Sequence, residues 1–279
     1  MTRFKKGNFC LFLKNLTDTT VQQIRPFLRD HVYAGRSLLF LEETESTNLF
    51  LLKNKKLLSM PGLVVQAGRQ TKGIGRRSRS WCGGAAEHLF CSFVIMPPSS
   101  VTFLPSMTLL CGLAVFRCLR DLGVRDVVIK WPNDILIKGK KVSGILCHAS
   151  FFHKTPVVVA GIGINVKGSA SQFPGHLRKK AGTLEDFGIF TTPSTLLVDL
   201  SRQLEKILVT TEKSGLQDLI DEWKKNALCT GYSITFNSVE GATKGIIKDL
   251  DQMGRLIVRD LKGGIHIVDS GDIDHDYSQ

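Results

Sequence analysis

The sequence predicts an α+β protein whose main domain is followed by a small β-barrel, and three observations predict it. Between residues 38 and 226, short apolar or β-branched runs alternate with stripes of helical period. After Leu228 the helical stripes stop, and four short strand runs follow at regular spacing. A chain of 279 residues with 43% hydrophobic and 22% charged residues can bury a large core and is ordinary for a folded domain rather than a disordered one. The boundaries that follow are a leader or extension over residues 1–36, the main domain over 37–228 and the barrel over 229–279.

Taken in order, the leader is moderately basic, with helical spacing over residues 20–31. Residues 38–42 read as a strand, and Ser46 can cap a helix whose Leu49, Leu51, Leu52 and Leu57 fall on or near one face. A second strand over 62–67 runs straight into a basic loop, so the loop leaves a strand end, a common place for a site. Residues 89–96 form a third strand, stopped by Pro97 and Pro98, and a buried helix follows over about 104–122. A strand at 127–130, a break at Trp131-Pro132-Asn133-Asp134, a short strand at 135–137 and a return over 141–147 make a hairpin turning at Lys138-Gly139. The central strand over 157–166 contains Gly161 and Gly163, which mark a place where a ligand can lie against the backbone. Residues 168–187, polar and without period, are expected to be a mobile loop. Helices follow from Ser194, with Leu196, Leu197, Leu200, Leu204, Ile207 and Leu208 on one stripe, and over 216–226 through Trp223. Strands at 232–236, 243–248, 255–258 and 265–268 complete the barrel.

The net charge of +12 points to anionic partners or substrates: nucleotides, nucleic acid, an acidic protein or a membrane surface. The seven cysteines are odd in number and lack paired zinc spacing, so they read as reduced thiols packed as small hydrophobes, and no structural metal is expected. The longest apolar run, residues 103–118, is interrupted by Pro105 and Ser106 and is too short to span a bilayer, so no membrane partner is expected. Residues 1–36 are too short for a common DNA-binding domain, so no DNA partner is expected either. Arg3, Lys5, Lys6 and Lys14 precede the first acid, Asp18, which faintly suggests an organelle presequence; the location expected is cytoplasmic, with mitochondrial as the alternative.

Two constellations carry chemistry. The loop from Ala67 to Trp81 holds Arg69, Lys72, Arg76, Arg77 and Arg79 with no acid, and Gly73 and Gly75 let its backbone approach a ligand closely. Forked arginine donors match carboxylate or phosphate oxygens two at a time, so the loop suits an anion. The second is Lys130-Trp131-Pro132-Asn133-Asp134 with Lys141 on the returning arm, where a carboxylate, an amide and a lysine converge on one face of the hairpin.

On five stretches in order, Ser46-Thr47-Asn48, the Gly/Arg loop ending in Trp81, Lys130 to Asp134, Lys141-Val142-Ser143-Gly144-Ile145-Leu146 and Gly161 to Asn165, the sequence resembles the biotin protein ligases, called holocarboxylase synthetases in their eukaryotic form. The resemblance implies a mixed-sheet catalytic domain of the biotin/lipoate ligase type over 37–228 and an SH3-like C-terminal β-barrel that closes over the nucleotide. It implies a two-step reaction: biotin and MgATP give biotinyl-5′-adenylate, and a lysine on a biotin-carrier domain of acetyl-CoA carboxylase or a related carboxylase takes the biotinyl group. Biotin as substrate, ATP and Mg2+ carried by ATP are the small molecules implied, with no repressor role and with a monomer or homodimer as the assembly. By this similarity Ser46, Thr47 and Gln70 hydrogen-bond the ureido ring. Gly73, Trp81, Gly144, Leu146 and Gly161 line the slot for the ring and valeryl chain. Arg76, Arg77 and the backbone at Gly73 and Gly75 bind carboxylate and phosphate, with Arg79 and Trp81 also facing the nucleotide. Lys141 holds the oxygens where charge develops, Asn133 and Asn165 contact the nucleotide, and Asp134 orients the acceptor lysine, holds the metal or accepts the lysine's proton.

Three positions depart from the family's pattern. Ile74 stands where a basic residue is common, which could shift that cation's duty to Lys72 or Arg79; Ser78 replaces a third glycine; and Ser143 replaces a smaller residue beside the slot. A lipoate-type ligase is the alternative enzyme, sharing adenylation and lysine acylation. A basic nucleic-acid-binding protein with a small barrel is the alternative from another class, disfavoured by the scarcity of aromatics among the basic residues.

Overall fold

The structure, a computed structural model, describes residues 24–82, 87–98, 104–238, 241–251, 253–269 and 271–273; the basic start of the leader lies outside them. In chain order the main body comprises β1 (Arg25–Pro26), β2 (Ser37–Thr44), α1 (Thr47–Lys53), β3 (Leu63–Gln70), β4 (Leu89–Ile95), α2 (Leu104–Asp121), β5 (Val127–Lys130), β6 (Asp134–Ile137), β7 (Lys140–Phe152), β8 (Thr155–Ile164), α3 (Pro193–Ser214), α4 (Gln217–Lys225) and β9 (Ala227–Leu228). Its strands form one nine-stranded sheet in the order β1-β2-β3-β4-β8-β7-β6-β5-β9. The β2/β3 and β5/β9 pairs are parallel and the others antiparallel, so the sheet is mixed, as expected.

The sheet takes in part of the expected leader. Arg25 and Pro26 pair with Leu38 and Ser37, and the Glu205 carboxylate on α3 accepts the backbone N–H groups of Val32, Tyr33 and Ala34 at 2.7–2.9 Å. The helix expected over 20–31 does not form in its described part, residues 24–31. Pro26 has no N–H to give a helix and biases Arg25 toward extended backbone, which the strand pairing uses.

Alternation along the strands sends two sets of side chains to two faces. Phe93, Ile95, Ile145 and Ile162 meet α2, α3 and α4 in a large core with Met107, Leu113, Leu204 and Trp223. The stripe on α3 is buried as its spacing predicts, and its ends follow local chemistry: Thr192 Oγ1 accepts from Thr195 N, Pro193 opens the helix, and Gly215 follows it at φ +80°. Each of its fully buried leucines contributes on the order of 2 kcal/mol of apolar burial. No helix among the described residues is long and apolar enough to cross a membrane.

The opposite face is only half covered. α1 and the short turn after it lay Phe50, Leu51, Leu57 and Leu58 over Leu39, Leu41, Val65 and Val159. Ser46 stands at the N-cap with extended backbone, but its side chain makes no capping bond, contrary to the expectation. The uncovered half of this face, over β7 and β8, is a cleft.

Two segments close the end of the cleft away from α1. Residues 168–187, expected to be mobile, are instead tied down. Asp186 accepts from Ala170 N and Thr183 N, Glu185 accepts from Gly168 N, Thr183 Oγ1 donates to Gly168 O, and Phe173 and Leu184 are buried. A segment without period can still be ordered when its acids satisfy its own backbone donors. The second segment is the C-terminal sheet, β10 (Ser233–Ser238), β11 (Gly241–Leu250), β12 (Leu256–Asp260), β13 (Ile265–Val268) and β14 (Asp272–Ile273), antiparallel in the order β13-β12-β11-β10-β14. It is docked on the main body: Ile234, Phe236, Ile247 and Val258 continue the large core, Trp131 Nε1 donates to Gly254 O at 3.2 Å, and Ser106 Oγ donates to Met253 O at 2.7 Å.

Candidate active site

The cleft is about 280 Å3 and runs from the start of α1 across β7 and β8 to residues 177–181 and β14. One end is built from uncharged hydrogen-bonding groups. Thr47 begins α1, and its N–H donates to Gln70 Oε1 at 2.8 Å, with Thr47 Oγ1 3.2 Å from the same oxygen. That commits the Gln70 carbonyl and leaves its NH2 group without a partner among the described residues, a donor pair for a ligand. Ser92 Oγ donates to Asn48 Oδ1 at 2.6 Å and lies 2.7 Å from Thr47 Oγ1. Asn48 Nδ2 donates to Leu146 O at 2.9 Å and approaches His148 Nδ1 at 3.3 Å. Burial lowers the His148 pKa, which favours the neutral ring that can accept this bond. Apart from the Gln70 NH2 group and the Ser46 hydroxyl, the polar side chains here bond one another or the Leu146 carbonyl, which holds them in one arrangement.

Glycines make the floor. A Cβ on Gly161 would stand 2.4 Å from Asn48 Oδ1, and one on Gly163 2.6 Å from the Trp81 ring, so neither position has room for a side chain. Trp81 lies against Gly144 and Gly163, forming an apolar wall with its Nε1 buried and unpaired.

The other end is cationic. Lys141 Nζ is 2.6 Å from Asp134 Oδ1, an ion pair across β6 and β7 rather than a directed hydrogen bond, and 5.3 Å from the centre of the Trp81 ring. Arg76 Nη1 donates to Asn133 Oδ1 at 3.2 Å, and Asn133 Nδ2 donates to Ile145 O at 3.1 Å. The basic loop closes on itself through Gly75 N to Arg79 O and an Ile74–Ser80 bridge. Arg77 sits at φ +53°, a left-handed conformation that costs a non-glycine residue about 1 kcal/mol. Arg76, Arg77, Arg79, Lys130, Lys141 and Lys180 line the cleft against one carboxylate, Asp134, so its field favours a polyanion.

Most of the residues expected from sequence meet in this cleft: Ser46, Thr47, Gln70, Gly75, Arg76, Arg77, Arg79, Trp81, Asn133, Asp134, Lys141, Gly144, Leu146 and Gly161 all line it. Gly73 and Asn165 do not. Gly73 O accepts from Trp81 N at 2.8 Å, and a Cβ there would meet the Trp81 carbonyl at 2.5 Å, so Gly73 supports the wall from behind. Asn165 is buried beneath β7, its N–H donating to Val142 O and its Nδ2 to Gly182 O, and ties residues 180–182 to that strand. Lys72, named as a stand-in for the cation missing at Ile74, does not line the cleft: it and Lys53 pair with Glu45 at the surface, and their hydrogen bonds lower that carboxyl to about 2. Ser143 is fully buried with an unpaired Oγ and does not line the cleft either. Sequence reasoning missed Asn48, Ser92 and His148, which orient the polar end, and Lys180. Only Asn48 carried a signal, as the third member of Ser46-Thr47-Asn48. Among the described residues no group of three or more His, Cys, Asp or Glu side chains is gathered as a metal site.

Comparison with known proteins fits this geometry. The model of the biotin/lipoate A/B protein ligase family matches residues 40–165, and that of the biotin protein ligase C-terminal domain matches 231–276. The biotin–[acetyl-CoA-carboxylase] ligase of Mycobacterium tuberculosis is 30% identical over 259 residues, covering 89% of this chain and 94% of its own. The chain belongs to the biotin protein ligase family. The bifunctional ligase/repressor BirA of Bacillus subtilis is 29% identical over 251 residues, 86% of this ligase and 74% of that protein. Among solved structures, the biotin protein ligase of Aquifex aeolicus in complex with biotin and ATP superimposes with a TM-score of 0.69 at 26% identity, covering 85% of this ligase and 97% of that chain. The mixed sheet with a small antiparallel C-terminal sheet is thus the family's fold, in agreement with the sequence reading.

Proposed function

We propose that this cleft is where the chain, an ATP-dependent biotin protein ligase, forms biotinyl-5′-adenylate and then passes the biotinyl group to a lysine of a carrier domain. The observation that carries the assignment is the pairing, in one cleft of a biotin protein ligase, of a saturated uncharged network with a six-cation field. The ureido ring of biotin is a planar polar group that needs donors and acceptors when buried, and Thr47, Gln70 and Ser46 supply them. The valeryl chain then runs over Gly144, Leu146 and Gly161 beneath Trp81, bringing its carboxylate to Arg76, Arg77 and Lys141.

The first step brings two anions together. A carboxylate oxygen bonds to the α-phosphorus of ATP, the bond from that phosphorus to the bridging oxygen breaks, and pyrophosphate leaves with the electron pair. Preplaced cations lower the repulsion before reaction and match the charge as it spreads, with Lys141 and Arg76 nearest the reacting oxygens. The magnesium ion enters with ATP. Asn133, held by Arg76 and by Ile145, supports the nucleotide side together with Arg79 and Gly75. In the second step the ε-amine of the acceptor lysine attacks the acyl carbon and AMP departs. That amine arrives protonated at neutral pH, and Asp134, paired with Lys141, orients it and takes its proton once Lys141 turns to the phosphate.

The acceptor is a biotin-carrier domain of acetyl-CoA carboxylase or a related carboxylase, a class supported by the name of the M. tuberculosis relative. Free cysteines such as Cys91, Cys111 and Cys118 fit a reducing, cytoplasmic compartment, and a monomer or homodimer is the assembly. Direct binding of biotin and of lipoate in the presence of ATP tests the assignment: biotin binds and lipoate does not, whereas lipoate binding with no biotin binding overturns it.

A further inference from the structure

The uncharged network of the cleft ends on a titratable group. His148 stands on β7 two residues beyond Leu146, is half-buried, and does not itself line the cleft. Its Nδ1 lies 3.3 Å from Asn48 Nδ2, and the other partners of Asn48 decide which of the two carries the proton. Nδ2 also meets the Leu146 carbonyl at 2.9 Å, an acceptor at every pH, while Oδ1 takes the Ser92 hydroxyl at 2.6 Å. Turning the amide over would set two acceptors against each other at Leu146 O. Nor is there room to move aside: Asn48 is buried, and its Oδ1 lies so close over Gly161 that a Cβ there would stand 2.4 Å away. Nδ2 is therefore the donor, and Nδ1 of a neutral His148 is the acceptor.

We propose that His148 is a positioning residue for biotin: its neutral ring holds the Asn48 amide and, through Ser92 and Thr47, the direction of the Gln70 NH2 group, so that protonation of the ring weakens biotin binding. This rests on the assignment of the uncharged end to the ureido ring. A protonated His148 presents Nδ1–H to the N–H of Asn48, donor against donor, and Asn48 relieves that only by giving up Leu146 O or Ser92. Ser92 lies 2.7 Å from Thr47 Oγ1, and Thr47 holds Gln70 Oε1, so the disturbance reaches the groups that face the ligand. The elements packed around the ring offer nothing to hold its charge. β8, which pairs Val159 with His148, has no charged residue. β7 brings Cys147, turned to the large core, and Lys140 and Lys141 at its other end. α1 and the turn after it bring Lys53, Lys55 and Lys56, all exposed, with Lys53 on Glu45. Burial lowers the His148 pKa from 6.5, so the charge, and with it the loss of biotin, enters below that value as pH falls.

The test follows biotin binding by calorimetry in the wild type, His148→Leu and His148→Asn, whose Oδ1 takes the place of Nδ1 but does not titrate. The ionisation of biotin itself is common to all three proteins. The wild type is expected to lose about threefold or more in affinity between about pH 7.5 and about pH 5, beyond any loss in His148→Asn. At about pH 7.5, His148→Leu binds biotin about threefold more weakly than wild type, and His148→Asn restores most of that loss. Equal low-pH losses in the wild type and His148→Asn, or full affinity in His148→Leu, overturn the proposal. Nitrogen NMR of the free protein gives a check that needs no ligand: the neutral His148 ring is expected as the Nε2–H tautomer, and the Nδ1–H tautomer overturns the proposal as well. A wild type that binds no biotin at about pH 7.5 refutes the reading of the cleft instead, and the tautomer still tests the contact with Asn48.

Discussion

The two ends of the cleft are built on opposite plans. At one end Thr47, Asn48, Gln70 and Ser92 are buried or nearly so and satisfy one another, so the groups left for a ligand point in fixed directions. At the other, arginines and lysines far outnumber acids, and the basic loop that brings three of them leaves Arg77 and Arg79 exposed. The contrast separates two tasks. A neutral planar ring is recognised by direction, which requires a rigid and saturated frame. A polyanion is recognised by field, which tolerates movement and is completed only when the anion arrives.

Substitutions and salt act differently on the two ends. The largest effect is expected at the centre, where Lys141→Ala lowers the rate of biotinyl-adenylate formation by about 10²–10³-fold while the circular dichroism spectrum stays that of the wild type. A normal single-turnover rate in that variant removes Lys141 from the chemistry. At the uncharged end, Gly161→Ala drives a methyl into Asn48 and weakens biotin binding by about 10–100-fold, with ATP binding unchanged; equal loss of both ligands shows that the ends are not separate. Raising salt from about 0.05 to about 0.5 M weakens ATP binding several-fold and biotin binding without ATP hardly at all, because field recognition is screened and directional bonds are not. Equal salt slopes erase the distinction.

The smallest effect is expected outside the cleft. Glu45 is exposed, and hydrogen bonds from Lys53 and Lys72 lower its carboxyl from the usual range to about 2. A lowered folded pKa gives an interaction present above the unfolded value, about 4.5, and lost as pH falls from there toward about 2. NMR titration of Glu45 should therefore show a midpoint near 2, and Glu45→Gln should leave ligand binding within about twofold of wild type, as surface pairs contribute little. A large loss of ATP binding in Glu45→Gln shows that Lys72 serves the cleft after all.

The same contrast explains what the sequence made legible. Strands and long helices follow from apolar period, and α2, α3 and the hairpin of β6 and β7 lie where their spacing puts them. The cationic end was legible because its residues are clustered along the chain in one loop and one hairpin. The uncharged end draws on Asn48, Gln70, Ser92 and His148, spread over four elements, and their convergence depends on the sheet order β3-β4-β8-β7, which no local pattern states. Asn165 stands in a telling motif and shares the parity of Gly161 and Gly163, yet it lies just past the end of β8, where its Nδ2 holds Gly182 O and its Oδ1 is buried without a partner among the described residues. The order within residues 168–187 was hidden for a similar reason, since Thr183, Glu185 and Asp186 satisfy backbone groups up to 17 residues earlier in the chain.

The most direct test is to incubate the protein with labelled biotin, MgATP and an acidic biotin-carrier domain and to locate the label by mass spectrometry. Label is expected on one lysine of the carrier, with biotinyl-5′-adenylate retained by the protein when the carrier is omitted. An unlabelled carrier together with no adenylate would contradict it.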